Sequence, residues 1–573
     1  MANLSKIKRD KMIDFLNQLR ELHKTNDEIL IALGEIQNEI NSKKYGLVWE
    51  EHEENVDEMI KNNVPVFSED YTKEIVLYPG HDYNFLLEGD NLHSLYLLKK
   101  THKENIDFIY IDPPYNTGNK DFKYNDEFVD NSDFYIHSKW LSFMKRRLEI
   151  AYDLLKENGV IFISINDVEQ SQLKLLCDEI FGEESFINNL SVEMSPSSGV
   201  KRSHRDKGFI KNKESILVYL KGRLSINPLY DEWSTYDNHY SIYFDGNNYT
   251  SLLKVLKEVF PNYVGLNSKM YLFYDDVYQY IVENSDSIWR THDASKWALR
   301  NVELGEKLFS NSDIDIIKVF NPGNPEEFEI LKSKNKKTGY DRLEPLSWNV
   351  AENKIVTLRG DLWLDFDKDM GNVSKEGDIK FPNGKKPIRL LEDLIKCCTT
   401  KNSIILDFFA GSGSTGHAVL DLNREDNSER RFILCTNNEN GICENVTYKR
   451  LSNVINGYKN VDGIKSNLKY YRTDFVSKDE EYFSDALMGH IKEMIQLEKG
   501  KKVDGKNYII ILDEDSADDI ELNWGNYKEL KEIYISRNVL LTTSQIDLFS
   551  KIKISIIPDY YYDFELKEDG RRI

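Results

Sequence analysis

Apolar residues near the start of the chain recur at helical steps. Leu4 and Ile7, then Met12, Phe15 and Leu19, and finally Ile29, Leu33, Ile36 and Ile40 keep three- and four-residue spacing, which predicts two amphipathic helices. A helix with one apolar stripe must cover it against another helix, the body of the chain or a second subunit. From about Tyr71 the pattern changes. Residues 85–88 predict a short strand, Gly89-Asp90-Asn91 a turn, and Leu92, Leu95 and Leu98 a helix, after which the apolar run 106–111 stops at Asp112-Pro113-Pro114. Residues 140–158 predict an amphipathic helix with Leu141, Met144, Leu148, Ala151 and Leu155 on one face and Gly159 as its stop. Residues 160–165 form a continuous buried-strand run, and 168–181 a helix ending at Gly182. Such alternation predicts an α/β fold, a doubly wound parallel sheet covered on both faces.

Residues 226–370 lose this rhythm. They hold ten tyrosines between Tyr230 and Tyr280, with Trp233, Trp289 and Trp297, and their pattern assigns no topology. Alternation resumes with a helix at 389–398, a strand at 403–407, a glycine turn, a helix from Thr415 and a strand at 431–435. Beyond about 465 an acidic α/β tail begins, with 508–512 its clearest strand. The chain is accordingly divided at 1–70, 71–225, 226–370, 371–465 and 466–573.

Composition narrows the class. A length of 573 residues suggests two to four domains, and 40% apolar with 12% aromatic residues is enough for a real core. No apolar run approaches the roughly 20 residues of a membrane span, and no apolar segment follows the charged N-terminus, so neither a membrane protein nor a secretory leader is expected. Five cysteines without a C-x-x-C pair fit a reduced, cytoplasmic chain. The net charge of −22 looks hostile to nucleic acid, but the acidity lies at the ends: residues 1–75 carry 10 basic and 16 acidic side chains, and 478–573 carry 14 and 21. Between them, residues 199–223 gather Lys201, Arg202, Arg205, Lys207, Lys211, Lys213, Lys221 and Arg223 against Asp206 and Glu214. Binding to a polyanion is local, so this basic stripe keeps nucleic acid in view.

Two segments carry the chemistry. In the first, a strand ends at Asp407 and runs through Phe409 into Gly411, Gly413 and Gly416 before a helix. Glycines there admit a ligand close to the backbone, beside amide N–H groups at the positive end of a helix. The spacing satisfies G-x-G-x-x-G, which suits adenosyl ligands generally, NAD included. A carboxylate closing the strand favours a cationic or hydroxyl-bearing ligand over a pyrophosphate, hence S-adenosylmethionine over NAD. The second segment, Asp112-Pro113-Pro114-Tyr115-Asn116, follows a buried strand, where ligands of open α/β sheets sit. If the substrate is a purine amino group, the Asp112 carboxylate and the Pro113 carbonyl, held still by Pro114, accept its two N–H bonds and localise a lone pair otherwise delocalised into the ring. Tyr115 would stack on a base swung out of its helix.

Together these motifs resemble the amino-group DNA methyltransferases that use S-adenosylmethionine. The catalytic motif precedes the cofactor motif, which is the circularly permuted order of the β class. Asp112-Pro-Pro-Tyr-Asn-Thr-Gly118, Tyr124-Asn-Asp126, His137-Ser-Lys-Trp140-Leu, Gly159-Val-Ile-Phe-Ile-Ser-Ile165 and Lys213-Glu-Ser-Ile-Leu-Val-Tyr219 resemble the modification (Mod) subunits of type III restriction–modification systems, over roughly 70–470. The resemblance implies a Rossmann-like methyltransferase sheet split into a catalytic half (71–225) and a cofactor half (371–465). Between them it implies a target-recognition domain (226–370), with a helical N-terminal segment suited to dimerisation and a separate C-terminal domain. It also implies N6-methyladenine as product, double-stranded DNA as substrate, a homodimer, a restriction (Res) helicase-nuclease partner and a cytoplasmic, nucleoid-associated setting.

By position, the resemblance assigns Asp90, Asp407, Phe409, Gly411, Gly413 and Thr415 to the cofactor, with Lys386 and Pro387 beside its methionine moiety. It gives Glu439 the ribose hydroxyls, although that acid lies about three positions beyond the commonest arrangement. Lys201, Arg202, Arg205 and Lys207 become phosphate contacts. Most aromatics of 226–370 are expected in a core and the rest as stacking platforms. No metal and no covalent intermediate are expected. The competing readings are a cytosine-N4 methyltransferase, an NAD-linked oxidoreductase and a non-catalytic DNA-specificity subunit.

Overall fold

Successive side chains of a strand point to opposite faces, so Phe85, Leu86 and Leu87, at 2%, 0% and 0% exposure, require cover on both faces of their sheet. The computed structural model of the chain describes residues 4–24, 26–41, 49, 54–116, 136–196, 208–223, 226–244, 249–309, 316–333, 340–381, 385–558, 561, 562 and 565. Thr117, Gly118, the 124–126 motif and the basic residues Lys201, Arg202, Arg205 and Lys207 lie outside the described residues. The chain forms two compact units, 1–225 with 363–573, and 226–362.

In the first unit the main sheet contains β1 (Asn63–Glu69), β2 (Tyr83–Glu88), β3 (Ile106–Ile111), β4 (Leu155–Ile165), β5 (Phe186–Glu193), β6 (Lys213–Leu220), β7 (Ile404–Asp407), β8 (Arg431–Thr436) and β9 (Asn467–Ser477), in the order β1-β9-β2-β8-β7-β3-β4-β6-β5. From β9 to β4 all neighbours are parallel. The sheet is mixed rather than wholly parallel, because β1, β6 and β5 add antiparallel edges.

The helices are α1 (Leu4–Leu22), α2 (Asp27–Asn41), α3 (Asn91–His102), α4 (Ile136–Leu154), α5 (Gln170–Phe181), α6 (Ile388–Cys398), α7 (Ser414–Asp426) and α8 (Lys449–Asn456). Leu92 and Leu95 of α3, Trp140 and Met144 of α4 and Leu173 and Leu176 of α5 share one core with Ile109, Ile163, Leu406 and Ile433. On the opposite face α7 packs so closely that a Cβ at Gly416 would meet Leu434 of β8 at 2.9 Å and Leu451 of α8 at 2.8 Å. In α1 and α2, Leu16 and Leu33 are buried while Phe15, Leu22 and Ile31 stay exposed.

Several boundaries differ from the sequence expectation. The segment 1–70 is not helical throughout, since its last residues form β1 at the edge of the main sheet, and the second compact unit ends at Leu362, short of the expected 370. The helix predicted for 140–158 ends at Leu154, and Leu155 begins β4. Leu155 is buried in the same core either way, so its apolar character does not distinguish helix from strand. The tail does not begin at 466 as a separate layer: β9 lies within the main sheet, between β1 and β2. Only afterwards does a three-stranded parallel sheet form, from Tyr508–Ile511, Glu532–Ile535 and Lys553–Ile556.

The second unit holds an antiparallel sheet in the order Tyr249–Ser251, Ile242–Phe244, Ile288–Asp293, Tyr340–Pro345, Asn324–Ser333, Ile316–Asn321. Tyr236, Tyr240 and Tyr271 are buried with Leu252, Leu256 and Ile281, and Trp233, Tyr243, Tyr263, Tyr274, Tyr278 and Tyr280 pack on this core half-buried. Most of the aromatic cluster is therefore structural.

Candidate active site

The parallel core brings distant segments to one edge. Ile405 and Leu406 of β7 pair with Phe108 and Ile109 of β3, so Asp407 and Asp112 close adjacent strands. On the other side of β7, β8 pairs with β2 up to Thr436 opposite Glu88, which places Gly89-Asp90 and the 437–439 turn at the same carboxyl edge. Ligands of open α/β sheets bind at such an edge.

The glycine turn after β7 is held from within. Asp407, 2% exposed, accepts the Phe409 N–H at 2.9 Å and the Thr415 hydroxyl at 2.6 Å. Burial pushes its carboxyl up to about 7, against the pull of these two donors. Asp407 and Thr415 thus fix the shape of the turn. Gly411 and Gly413 adopt φ of +49° and +74°, the left-handed region, and Gly413 caps α7. A Cβ on Gly413 would meet Thr447 Cγ2 at 3.1 Å, and the Thr447 hydroxyl donates to the Gly411 carbonyl at 2.6 Å. Behind the turn, the fully buried Arg450 donates to Ser412 and Ser414 at 3.2 and 2.7 Å and pairs with Glu376 at 3.2 Å. Phe409 stands half-buried against Phe143, ring centroids 5.9 Å apart.

The Asp112–Tyr115 loop is pinned as firmly. The Trp140 indole donates to the Pro114 carbonyl at 2.8 Å. Asn116, at φ +56°, donates to the buried Glu169 at 2.7 Å, and His137 reaches the same Glu169 oxygen at 2.7 Å. Among the described residues no donor meets the Pro113 carbonyl. On the ligand side, Lys386 donates to Asp112 Oδ2 at 2.7 Å and to the Tyr115 hydroxyl at 2.9 Å, and stands 3.3 Å from Glu214. The Tyr115 hydroxyl donates to Asp112 Oδ1 at 2.7 Å and lies 3.2 Å from Glu214 Oε2.

Burial raises the Asp112 carboxyl above its ordinary range; Lys386 opposes this and Glu214 adds to it. For Lys386, 7% exposed, burial favours the neutral amine, but the charges of Asp112 and Glu214 outweigh it and hold the ammonium well above its usual value. Burial and both carboxylates keep the Tyr115 hydroxyl protonated.

The remaining expected residues fall as follows. Asp90 caps α3 by accepting the Leu92 N–H at 2.8 Å and lies 3.3 Å from Arg147. Arg147, fully buried, also holds Asn91, whose amide donates to the Phe408 carbonyl at 2.8 Å and so ties α3 to the glycine turn. Pro387 is buried at the start of α6. Lys386 touches the catalytic loop, whereas its neighbour Lys385 turns to the Val373 and Ile379 carbonyls. Glu439 is exposed in the short turn beyond β8. Sequence reasoning missed Glu214, Glu169, Arg147 and Arg450; only Glu214, in the quoted 213–219 segment, carried a signal.

Comparisons with known proteins agree with this geometry. The chain is 35% identical to the Mod subunit of a probable type III restriction-modification enzyme, HindVI, of Haemophilus influenzae, over 60% of this chain and 48% of that one. Against the EcoPI Mod subunit of Escherichia phage P1 it is 29% identical, over 72% of this chain and 66% of that one. It therefore spans between about half and two thirds of these two relatives. It covers 96% of the type II methyltransferase M.KpnI of Klebsiella pneumoniae at 31% identity, over 76% of its own length. A DNA methylase family matches residues 106–449, from the strand before Asp112 to the helix behind the glycine turn. The chain belongs to the family of N6/N4 DNA methylases.

Proposed function

We propose that this protein methylates the N6 amino group of adenine in double-stranded DNA with S-adenosylmethionine, as the modification subunit of a type III restriction–modification system. The observation that carries the reading is the meeting of Asp112-Pro-Pro-Tyr115 and the Gly411–Gly413 turn at the ends of adjacent parallel strands. The turn fits an adenosyl cofactor: two left-handed glycines, one of them with Thr447 3.1 Å from where a Cβ would stand, open onto the N–H groups of the first turn of α7. The charges fit a cationic one, since among the described residues Asp112 and Glu214 present two carboxylates to one ammonium, Lys386. Gly411, Gly413 and Phe409 would hold it, with Asp90 and Pro387 at the flanks.

When bound, S-adenosylmethionine supplies a methyl group on a sulfonium. The protein's part is to prepare the amino group. Asp112 Oδ1 and the Pro113 carbonyl accept its two N–H bonds and draw the nitrogen toward tetrahedral geometry, freeing its lone pair. An alkylated amino group must shed one proton, and Asp112 is the acceptor the loop offers. The loop is held in place by Trp140 and Glu169, and Tyr115 supplies a ring for the extruded base. Unit 226–362 is assigned to target recognition, α1 and α2 to homodimerisation, and a restriction helicase-nuclease is the expected partner.

A second reading shares the chemistry and differs in assembly. The chain is also 31% identical to M.KpnI, a type II methyltransferase, over 96% of that protein, which makes a type II methyltransferase the second reading. Incubating the purified protein with tritiated S-adenosylmethionine and duplex DNA should give label in N6-methyladenine, abolished by Asp112→Ala with cofactor binding retained. Label in N4-methylcytosine would change the base, and none would refute the activity. Light scattering at twice the chain mass, and co-purification of a helicase-nuclease, test the assembly.

A further inference from the structure

The resting site poses a problem that the proposed reaction must solve. Both oxygens of Asp112 are engaged, Oδ2 by Lys386 at 2.7 Å and Oδ1 by Tyr115 at 2.7 Å. An incoming amino group needs one of them. We propose that Lys386, clamped between Asp112 and Glu214, stays in place as the counter-ion that keeps Asp112 anionic, and that the extruded base displaces the Tyr115 hydroxyl. The inference rests on the methyltransferase reading and gives Lys386 and Glu214 roles as positioning residues.

The two donors of Asp112 are not equally easy to remove. Moving Lys386 would leave a buried ammonium 3.3 Å from Glu214 and strip Asp112 of its counter-charge, and breaking a buried pair by removing one partner is strongly destabilising. Moving Tyr115 costs its hydrogen bonds to Asp112 and Lys386, but it leaves no charge unpaired, because Lys386 and Asp112 still face each other at 2.7 Å. Glu214 gives the displaced hydroxyl a second acceptor, already 3.2 Å away. Among the described residues, the groups facing Asp112 are Lys386 ahead of α6, Glu214 on β6, Tyr110 on β3, Tyr115 on the loop and Asp407 on β7, and Lys386 is the one cation of this set. Removing it leaves Asp112 among acids and neutral hydroxyls, where it takes up a proton, turns one oxygen into a donor and can no longer accept the proton the amino group must shed.

The arrangement predicts opposite effects from the two neighbours of Asp112. An opposite charge close to a carboxylate lowers its pKa by about 1 to 3 units, so Lys386→Met should move the titration of Asp112 upward by about that much. Glu214→Gln removes a like charge and should move it downward, and Lys386→Arg should stay near the parent. Difference infrared titration against Asp112→Asn reads this carboxyl directly, whether or not methyl transfer is detected. The acidic limb of the methylation rate should shift in the same directions, and Tyr115→Phe, with no hydroxyl to displace, should bind DNA at least as tightly as the parent. Failure of methyl transfer in the parent would count against the methyltransferase reading alone. Shifts in a common direction, or none, overturn the role given to Lys386; a DNA affinity weakened by Tyr115→Phe overturns the displacement.

Discussion

Two aspartates close neighbouring strands and serve different ends. Asp112 keeps a partly open side chain facing Lys386 and Tyr115, whereas Asp407 spends both oxygens inside its own turn. The difference has a measurable sign. With a folded pKa of about 7 against 3.8 for the ordinary group, Asp407 binds a proton more tightly in the folded chain than in the unfolded one. Unfolding free energy falls with pH wherever the folded state holds the extra proton. The stability linked to Asp407 is thus fully present below the lower value, is lost as pH rises toward the upper one, and does not change beyond it. Asp407→Asn has no such proton to release. Thermal melts across that window should show the parent losing stability relative to the variant as pH rises. Parallel curves would mean that the carboxylate is ionised throughout and that its two donors already outweigh its burial.

At the level of elements, the glycine turn separates a packing requirement from a ligand requirement. Gly416 lies in α7 with Leu434 and Leu451 against it, and Gly413 precedes the helix with a positive φ and Thr447 beside it. Gly413→Ala forces an L side chain into the left-handed region at a cost of about 1–2 kcal/mol and presses its methyl group on Thr447, whose hydroxyl holds the Gly411 carbonyl, so the turn that would admit a ligand must shift. Gly416→Ala also destabilises, but only between helix and sheet. Calorimetry with S-adenosylmethionine should therefore show affinity lost in Gly413→Ala beyond what its lower stability explains, and retained in Gly416→Ala at a temperature where it is folded; equal losses would place the cofactor elsewhere. That much of this edge was legible in the sequence has a physical basis: a strand buried on both faces must be a continuous apolar run, and a turn that admits a ligand needs glycine. Glu214 lay in a segment the sequence marked, but its role was not legible, because a charged residue early in a strand reads as a solvated end until the pairing of β6 with β4 places it near Asp112. Arg450 and Arg147 were hidden because a buried arginine is specified by partners far away in the chain. The topology of 226–362 was illegible because its strands are short and its core is built of tyrosines whose spacing follows neither period cleanly.

For the whole molecule, a net charge of −22 must be reconciled with a polyanionic substrate. Summed charge governs the potential at a distance, while affinity for DNA comes from the few cations that reach phosphates and release condensed counterions. The acidic surplus lies mostly at the two ends of the chain, and the stripe around Lys201, Arg202, Arg205 and Lys207 is the densest cationic segment between the catalytic loop and the second unit. Its cations are expected to meet phosphates rather than base edges, so replacing Lys201, Arg202 and Arg205 by Gln should weaken binding to every sequence by a similar factor and leave the methylated motif unchanged. Each lost phosphate contact lowers the slope of log K against log salt by about 0.9, so three lost contacts should flatten it by up to about 2.7. The acidic remainder of the molecule makes the experiment sharper, since repulsion from the rest of the surface also weakens with salt and acts in the opposite sense. A triple variant with an unchanged slope but altered affinity would remove the stripe from the DNA contact and shift the search to the basic side chains of unit 226–362.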